Sequence, residues 1–226
     1  MPRSRRQADR PTTVCFVRHG TTPTTGKVLP GRARGLHLSD AGISEAKAVA
    51  ARLAEVPVAA VYASPLERAR ETAAPIADQV KQPIVVDRGL VECDFGEWTG
   101  AELSKLRKLP EWNAVQKWPS GFRFPGGESF VEVQARLTGV VLAYRARHPG
   151  EVVVAVSHAD CIKVALASAL GVPLDLFQRI VVGTCSTSVV AYGTAGATVV
   201  AVNTYGSVPG LAATKRPGAG AGASRE

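Results

Sequence analysis

The chain has 226 residues, 46% of them hydrophobic and 20% charged, with a formal net charge of +8. Those figures describe an ordinary soluble globule, near the upper size for one hydrophobic core. No apolar run approaches the ~20 residues of a membrane helix. Most of the basicity sits at the ends, on Arg3, Arg5, Arg6 and Arg10 and on Lys215, Arg216 and Arg225, so a nucleic-acid-binding face is disfavoured.

Taken in chain order, residues 1–10 read as a disordered basic tail. Residues 11–210 read as one domain, and 211–226 as a second disordered tail rich in Gly and Ala. Val14 to Val17 is a short buried strand, too short for a signal-peptide core, so a cytoplasmic chain is expected. Ser39-Asp40 caps a helix through Ile43, Ala46, Ala50 and Leu53. Val58 to Ala63 is a second strand, after which Pro65 is expected to open a helix with Arg68, Thr72 and Ile76 on one face. Pro83 to Val86 is a third strand. Ser129 to Arg147 has helical period, and Val152 to Val156 is an apolar strand of the kind covered on both faces. Ile162 to Leu170 is helical, and Ser188–Tyr192 with Thr198–Val202 reads as a hairpin. Alternation of this kind predicts a mostly parallel sheet between helices, with an antiparallel edge from the hairpin. Residues 90–127 break the alternation, hold Trp98, Trp112 and Trp118, and read as a helical flap. The tryptophans are assigned to the core of that flap rather than to a substrate platform. Cys15, Cys93, Cys161 and Cys185 form no metal-type spacing and read as reduced structural thiols.

Four segments follow the strands: Arg18-His19-Gly20, Ser64 to Thr72, Glu92 to Trp98, and Ser157-His158-Ala159-Asp160. In a parallel sheet all four reach the carboxyl edge, where such sheets bind ligands. A phosphomonoester carries nearly two negative charges and needs fixed cations. Each at ~4 Å contributes ~4 kcal/mol at an effective dielectric of ~20, before desolvation. Arg18 and Arg68 supply guanidinium forks for the phosphoryl oxygens. His19 is a candidate nucleophile toward phosphorus, with its other ring N–H held by a backbone carbonyl. His158 suits the phosphoryl charge in flight, and a protonated Glu92 suits the leaving oxygen. Asp94 and Glu97 are close alternatives to Glu92. Asp160 reads as the cap of the next helix, Arg70 as a structural or surface residue, and His37 and His148 as surface residues.

These segments, in this order, resemble the histidine phosphatase superfamily (branch 1), which includes the cofactor-dependent phosphoglycerate mutases. The likeness runs from about Val14 to Asn203. It implies a three-layer α/β/α sandwich of the phosphoglycerate mutase type and hydrolysis of a small phosphorylated metabolite through phosphohistidine. It implies no metal or cofactor, so activity should be insensitive to EDTA. Two departures stand out. Thr25 replaces a common asparagine six residues after the nucleophile, and Ala159 replaces the glycine after the second histidine; both remain candidate substrate contacts. Arg32, with Arg34, is read either as a contact to the non-reacting end of the substrate or as a solvated loop arginine.

Phosphatase is preferred over mutase because Cys93-Asp94 follows Glu92, and Asp94 would repel a phosphoglycerate carboxylate. A phosphomutase is the alternative, and a non-catalytic phosphate-binding module is disfavoured by the presence of His19, Glu92 and His158 together. The expected partner is a small phosphorylated substrate, with no nucleic acid and no membrane. Oligomeric state is not legible; a homodimer through a sheet edge stays open.

Overall fold

The computed structural model describes residues 10–207. The two tails expected to be disordered therefore lie outside the described residues, Arg10 excepted. Six strands form one sheet: β1 (Thr12–Arg18), β2 (Val58–Ala63), β3 (Ile84–Val86), β4 (Val152–Ser157), β5 (Thr187–Gly193) and β6 (Gly196–Thr204). Their order is β3-β2-β4-β1-β5-β6. The first four strands run parallel, β5 runs antiparallel to β1, and β6 closes the hairpin at the edge.

The sheet is apolar on both faces because helices cover both. Along β1, Val14 and Phe16 enter one core, and Cys15 and Val17 enter the other. The second core is closed by α1 (Asp40–Arg52) and α2 (Glu67–Val80). The first is closed by α5 (Phe130–Arg147) and α6 (Ala159–Leu170), giving the α/β/α sandwich. Between β3 and α5 lie the short helices α3 (Leu103–Leu106) and α4 (Pro110–Lys117), with single 3-10 turns around them. No helix among the described residues is long and apolar enough to cross a membrane.

The local signals act through visible contacts. Ser39 Oγ accepts from the Gly42 N–H at the start of α1. Ser129 and Glu132 form a reciprocal capping box at the start of α5. Helix α2 departs from expectation: it starts at Glu67 rather than Pro65. The reason is that Ser64 and Pro65 are spent on the turn out of β2, where the Ser64 N–H bonds the Val156 carbonyl at 3.0 Å.

Residues 90–127 are held down by aromatic packing. Trp98 stacks near Trp112 at 6.3 Å, and Phe95, Phe122 and Trp98 all meet Phe124. Phe124 then meets Phe130 of α5, and Phe130 meets Phe177. Trp118 does not join this core: it is 62% exposed. His148 is also not a free surface residue, since its ring bonds the Tyr62 hydroxyl at 2.8 Å and pairs with Glu151. His37 is exposed, as expected, and pairs with Glu71.

Candidate active site

Strand register assembles the site. Strands β1 and β4 pair so that Arg18 lies opposite Ser157, and the His19 N–H donates to the Ser157 carbonyl at 2.9 Å. The residues that follow, His19 and His158, therefore leave the sheet side by side, with ring centroids 5.2 Å apart. Strand β2 is the other neighbour of β4, so the turn after β2 delivers Ser64 and Arg68 to the same place.

Arg68 lies in the first turn of α2 and is fully buried. Its Nε donates to His19 Nε2 at 3.3 Å, and its Nη2 donates to the Gly31 carbonyl at 2.8 Å and to His158 Nδ1 at 3.2 Å. A guanidinium only donates, so each imidazole must turn a lone pair toward it. The remaining ring nitrogens agree. His19 Nδ1–H donates to the Gly20 carbonyl at 2.8 Å, and His158 Nε2–H donates to Ser64 Oγ at 2.7 Å. Both tautomers are thus assigned by the network. Burial, then the charges of Arg68 and Arg18, lowers the His19 pKa to about 3, against a weaker opposing pull from the Gly20 carbonyl. Burial and Arg68 likewise hold His158 well below the ordinary histidine range. The site presents a neutral imidazole at His19 with a free-base nitrogen on its Nε2 side.

Four buried guanidinium nitrogens among the described residues have no partner, and two of them, Arg68 Nη1 and Arg18 Nε, belong to this group; the others are on Arg52 and Arg136. Arg18 is otherwise anchored through Nη1 on the Val182 carbonyl at 2.8 Å. A buried donor left unpaired costs about 1–3 kcal/mol, which a bound anion would recover.

Glu92 is buried beside His158, with Oε2 3.9 Å from His158 Nδ1. Its Oε1 accepts the Cys93 N–H at 2.9 Å. Burial, reinforced by the negative charge of Asp160, raises its pKa to about 7 against the opposing pull of Arg68. Its backbone segment is fixed by three side chains. Ser157 Oγ donates to the Leu90 carbonyl, Arg136 Nη1 to the carbonyls of Gly89 and Val91, and Arg32 Nε to the carbonyl of Glu92 itself. The two nearby carboxylates are placed otherwise. Asp94 pairs with Arg32 and accepts the Gly96 N–H, and Glu97 is exposed.

A cleft of about 180 Å³ opens onto Arg18, His19 and Glu92, while Arg68 and His158 are fully buried and not among its lining residues. Thr22, Thr25, Ala159 and Asp160 also line it, together with apolar Val28, Leu29, Phe95 and Leu103. Thr25 is half-buried there and is used locally: its Oγ1 accepts the Thr22 N–H at 2.9 Å. Ala159 begins α6, whose first turn has no side-chain cap. Arg32 is not among the lining residues. It is tied to Glu92, Asp94 and Glu128, so it braces the Glu92 segment instead of lying free in solvent. Asp94 is likewise absent from the lining, where Asp160 is the acidic residue besides Glu92. Asp160 does not cap α6 either; it sits in the first turn, 3.4 Å from Lys163.

Sequence reasoning assigned no role to Ser64, Thr72, Ser157 or Arg136, though Ser64 and Thr72 flank Arg68 in the same motif. Thr72 Oγ1 donates to the Arg68 carbonyl one turn back and accepts the Gly20 N–H at 2.9 Å. Gly20 itself passes so close to α1 that a Cβ there would lie 2.7 Å from the Gly42 carbonyl oxygen. The backbone beside His19 is thereby clamped between two helices.

The profile of the histidine phosphatase superfamily (branch 1) matches residues 14–205. The chain belongs to that superfamily. Phosphoserine phosphatase 1 of Hydrogenobacter thermophilus is 32% identical over 167 residues, 71% of this chain and 78% of that protein. A probable phosphoglycerate mutase GpmB of Proteus mirabilis is 29% identical over 183 residues, 79% of this chain and 84% of that protein. A mycobacterial glucosyl-3-phosphoglycerate phosphatase of solved structure, 23% identical, superposes with TM-score 0.77. That superposition covers 85% of this chain and 98% of the other, and it shows the shared fold.

The clamp on Gly20 gives a test. Thr72→Val keeps the volume but strands a buried N–H, and should lower stability by about 1–3 kcal/mol in a urea titration. An unchanged midpoint would mean that the Gly20 N–H finds another partner.

Proposed function

We propose that this enzyme hydrolyses small phosphomonoesters through a phosphohistidine at His19. The observation that carries the reading is the neutral His19 imidazole, whose Nε2 lone pair accepts from Arg68 Nε in a group where Arg68 Nη1 and Arg18 Nε have no partner. A phosphoryl dianion placed against Arg68 Nη1 and Arg18 Nε would put phosphorus within reach of Nε2. The uncapped first turn of α6, beginning at Ala159, adds N–H groups of the right sign.

The steps balance without a further reagent. His19 Nε2 forms a bond to phosphorus as the ester P–O bond breaks, and the protonated Glu92 carboxyl passes its proton to the departing oxygen. The resulting carboxylate then takes a proton from water, whose oxygen displaces His19 from phosphorus and releases inorganic phosphate. His158 begins with a lone pair toward Arg68 and its hydrogen on Ser64. In that state it has no hydrogen to give the phosphoryl group, and its part is to hold the Arg68 guanidinium in place.

A phosphomutase would use the same first half, and the likeness to a probable phosphoglycerate mutase is the observation on that side. It would also have to hold a substrate carboxylate while excluding water. The charged residues lining the cleft are Arg18, Glu92 and Asp160. With Arg18 committed to the phosphoryl group, no lining cation is left for a carboxylate. Hydrolysis is therefore the reading we favour.

His19→Ala should abolish both phosphate release and acid-labile labelling of the enzyme by a phosphomonoester. Incubation of the native enzyme with 3-phosphoglycerate and catalytic 2,3-bisphosphoglycerate should release phosphate rather than isomerise the acid. Isomerisation without release would reverse the assignment. A second test concerns pH. The active form holds Glu92 protonated, so kcat/KM should be full below about 7 and fall roughly tenfold per unit above it. Glu92→Gln should lower kcat by about 10²–10⁴-fold and remove that alkaline limb. A limb that survives the substitution would assign the proton to another group.

A further inference from the structure

The proposal below rests on the hydrolytic reading above and concerns what lies beyond the phosphoryl group. Once Arg18 and Arg68 meet the dianion and Glu92 meets the leaving oxygen, the rest of the cleft belongs to the leaving group. Its apolar lining is Val28 and Leu29 of the loop after β1 and Phe95 and Leu103 of the 90–127 segment. The charged residue remaining in the lining is Asp160. Arg32 is not among the lining residues and is occupied, held by the Glu92 carbonyl, Asp94 and Glu128. Lys163 meets Asp160 Oδ1 at 3.4 Å but is not among the lining residues, and its ammonium also donates to Gln178 at 3.0 Å, away from the cleft.

We infer that Asp160 is a specificity-determining residue, and that the enzyme acts on phosphomonoesters of small amino alcohols. Such a leaving group has a short apolar stem and an ammonium, and no second acid. The stem would lie along Val28, Leu29, Phe95 and Leu103 while the ammonium donates to the Asp160 carboxylate, and the roughly 180 Å³ volume suits a short one. A substrate bearing a carboxylate at that end meets like charge with no lining cation to offset it.

Three probes decide the matter: O-phosphoethanolamine, n-propyl phosphate, which has nearly the same shape without the charge, and 3-phosphoglycerate. At low salt and fixed pH, kcat/KM should favour O-phosphoethanolamine over n-propyl phosphate by roughly tenfold, the effect expected of one charge-assisted hydrogen bond. 3-Phosphoglycerate should be the poorest of the three. Asp160→Asn should bring the ratio of the first two near one. The ratio is the proper readout because Asp160 also acts on Glu92, and a change in Glu92 affects both substrates. Equal or better turnover of n-propyl phosphate by the native enzyme would overturn the inference and leave the hydrolytic reading intact, as would a best rate with 3-phosphoglycerate. A preference that survives Asp160→Asn would remove Asp160 from the role. Failure of all three to phosphorylate His19 would instead overturn the hydrolytic reading itself.

Discussion

One buried guanidinium organises this site. Arg68 has donors on every side and no acceptor, and it lies between two imidazoles 5.2 Å apart at their centroids. That forces both rings to present lone pairs inward and to send their hydrogens outward, to the Gly20 carbonyl and to Ser64. Burial first, and the charges of Arg68 and Arg18 after it, keep both rings uncharged. The protonation state of His19 is thus a consequence of burying the ring with a donor-only cation beside it. Burying Arg68 is unfavourable on its own account, and its unpartnered Nη1 leaves part of that cost standing until an anion arrives.

The rest of the fold serves to hold that triplet in register. Because β4 lies between β1 and β2, three strand ends deliver His19, His158 and the turn leading to Arg68 to one point. The two apolar cores fix the strands from opposite sides. Thr72 and the tight approach of Gly20 to α1 then fix the backbone just beyond β1. Glu92 arrives differently. It lies on irregular chain and is positioned by side chains on regular elements, Ser157 at the end of β4 and Arg136 on α5. Its raised pKa follows from that burial and from the negative charge of Asp160.

Much of this was legible in the sequence, for identifiable reasons. The strands are short apolar runs ending in residues of chemical consequence, so β1, β2 and β4 could be bounded to within a residue or two and their ends assigned to one edge. Helix α5 carries its own start signal in Ser129 and Glu132. What escaped depends on three-dimensional neighbours that spacing does not encode. Asp94 lies two residues after Glu92, yet its side chain turns to Arg32, while Asp160, far along the chain, lines the cleft. Arg32 looked like a substrate contact or a solvated side chain and is instead a brace on the Glu92 backbone. Trp118 shares its composition with Trp98 but lies outside the aromatic stack. Thr72 and Ser64 were visible as parts of a motif, but only the structure shows which backbone and ring atoms they hold.

The account depends most directly on the state of one ring, and nitrogen-15 NMR of labelled histidine in the ligand-free enzyme measures it. The His19 signals should report a neutral ring protonated at Nδ1, with Nε2 unprotonated, unchanged from pH 8 down to pH 5. A ring that takes up a proton near the ordinary histidine pKa of about 6.5, or one that carries its hydrogen on Nε2, would contradict the arrangement from which the chemistry is derived.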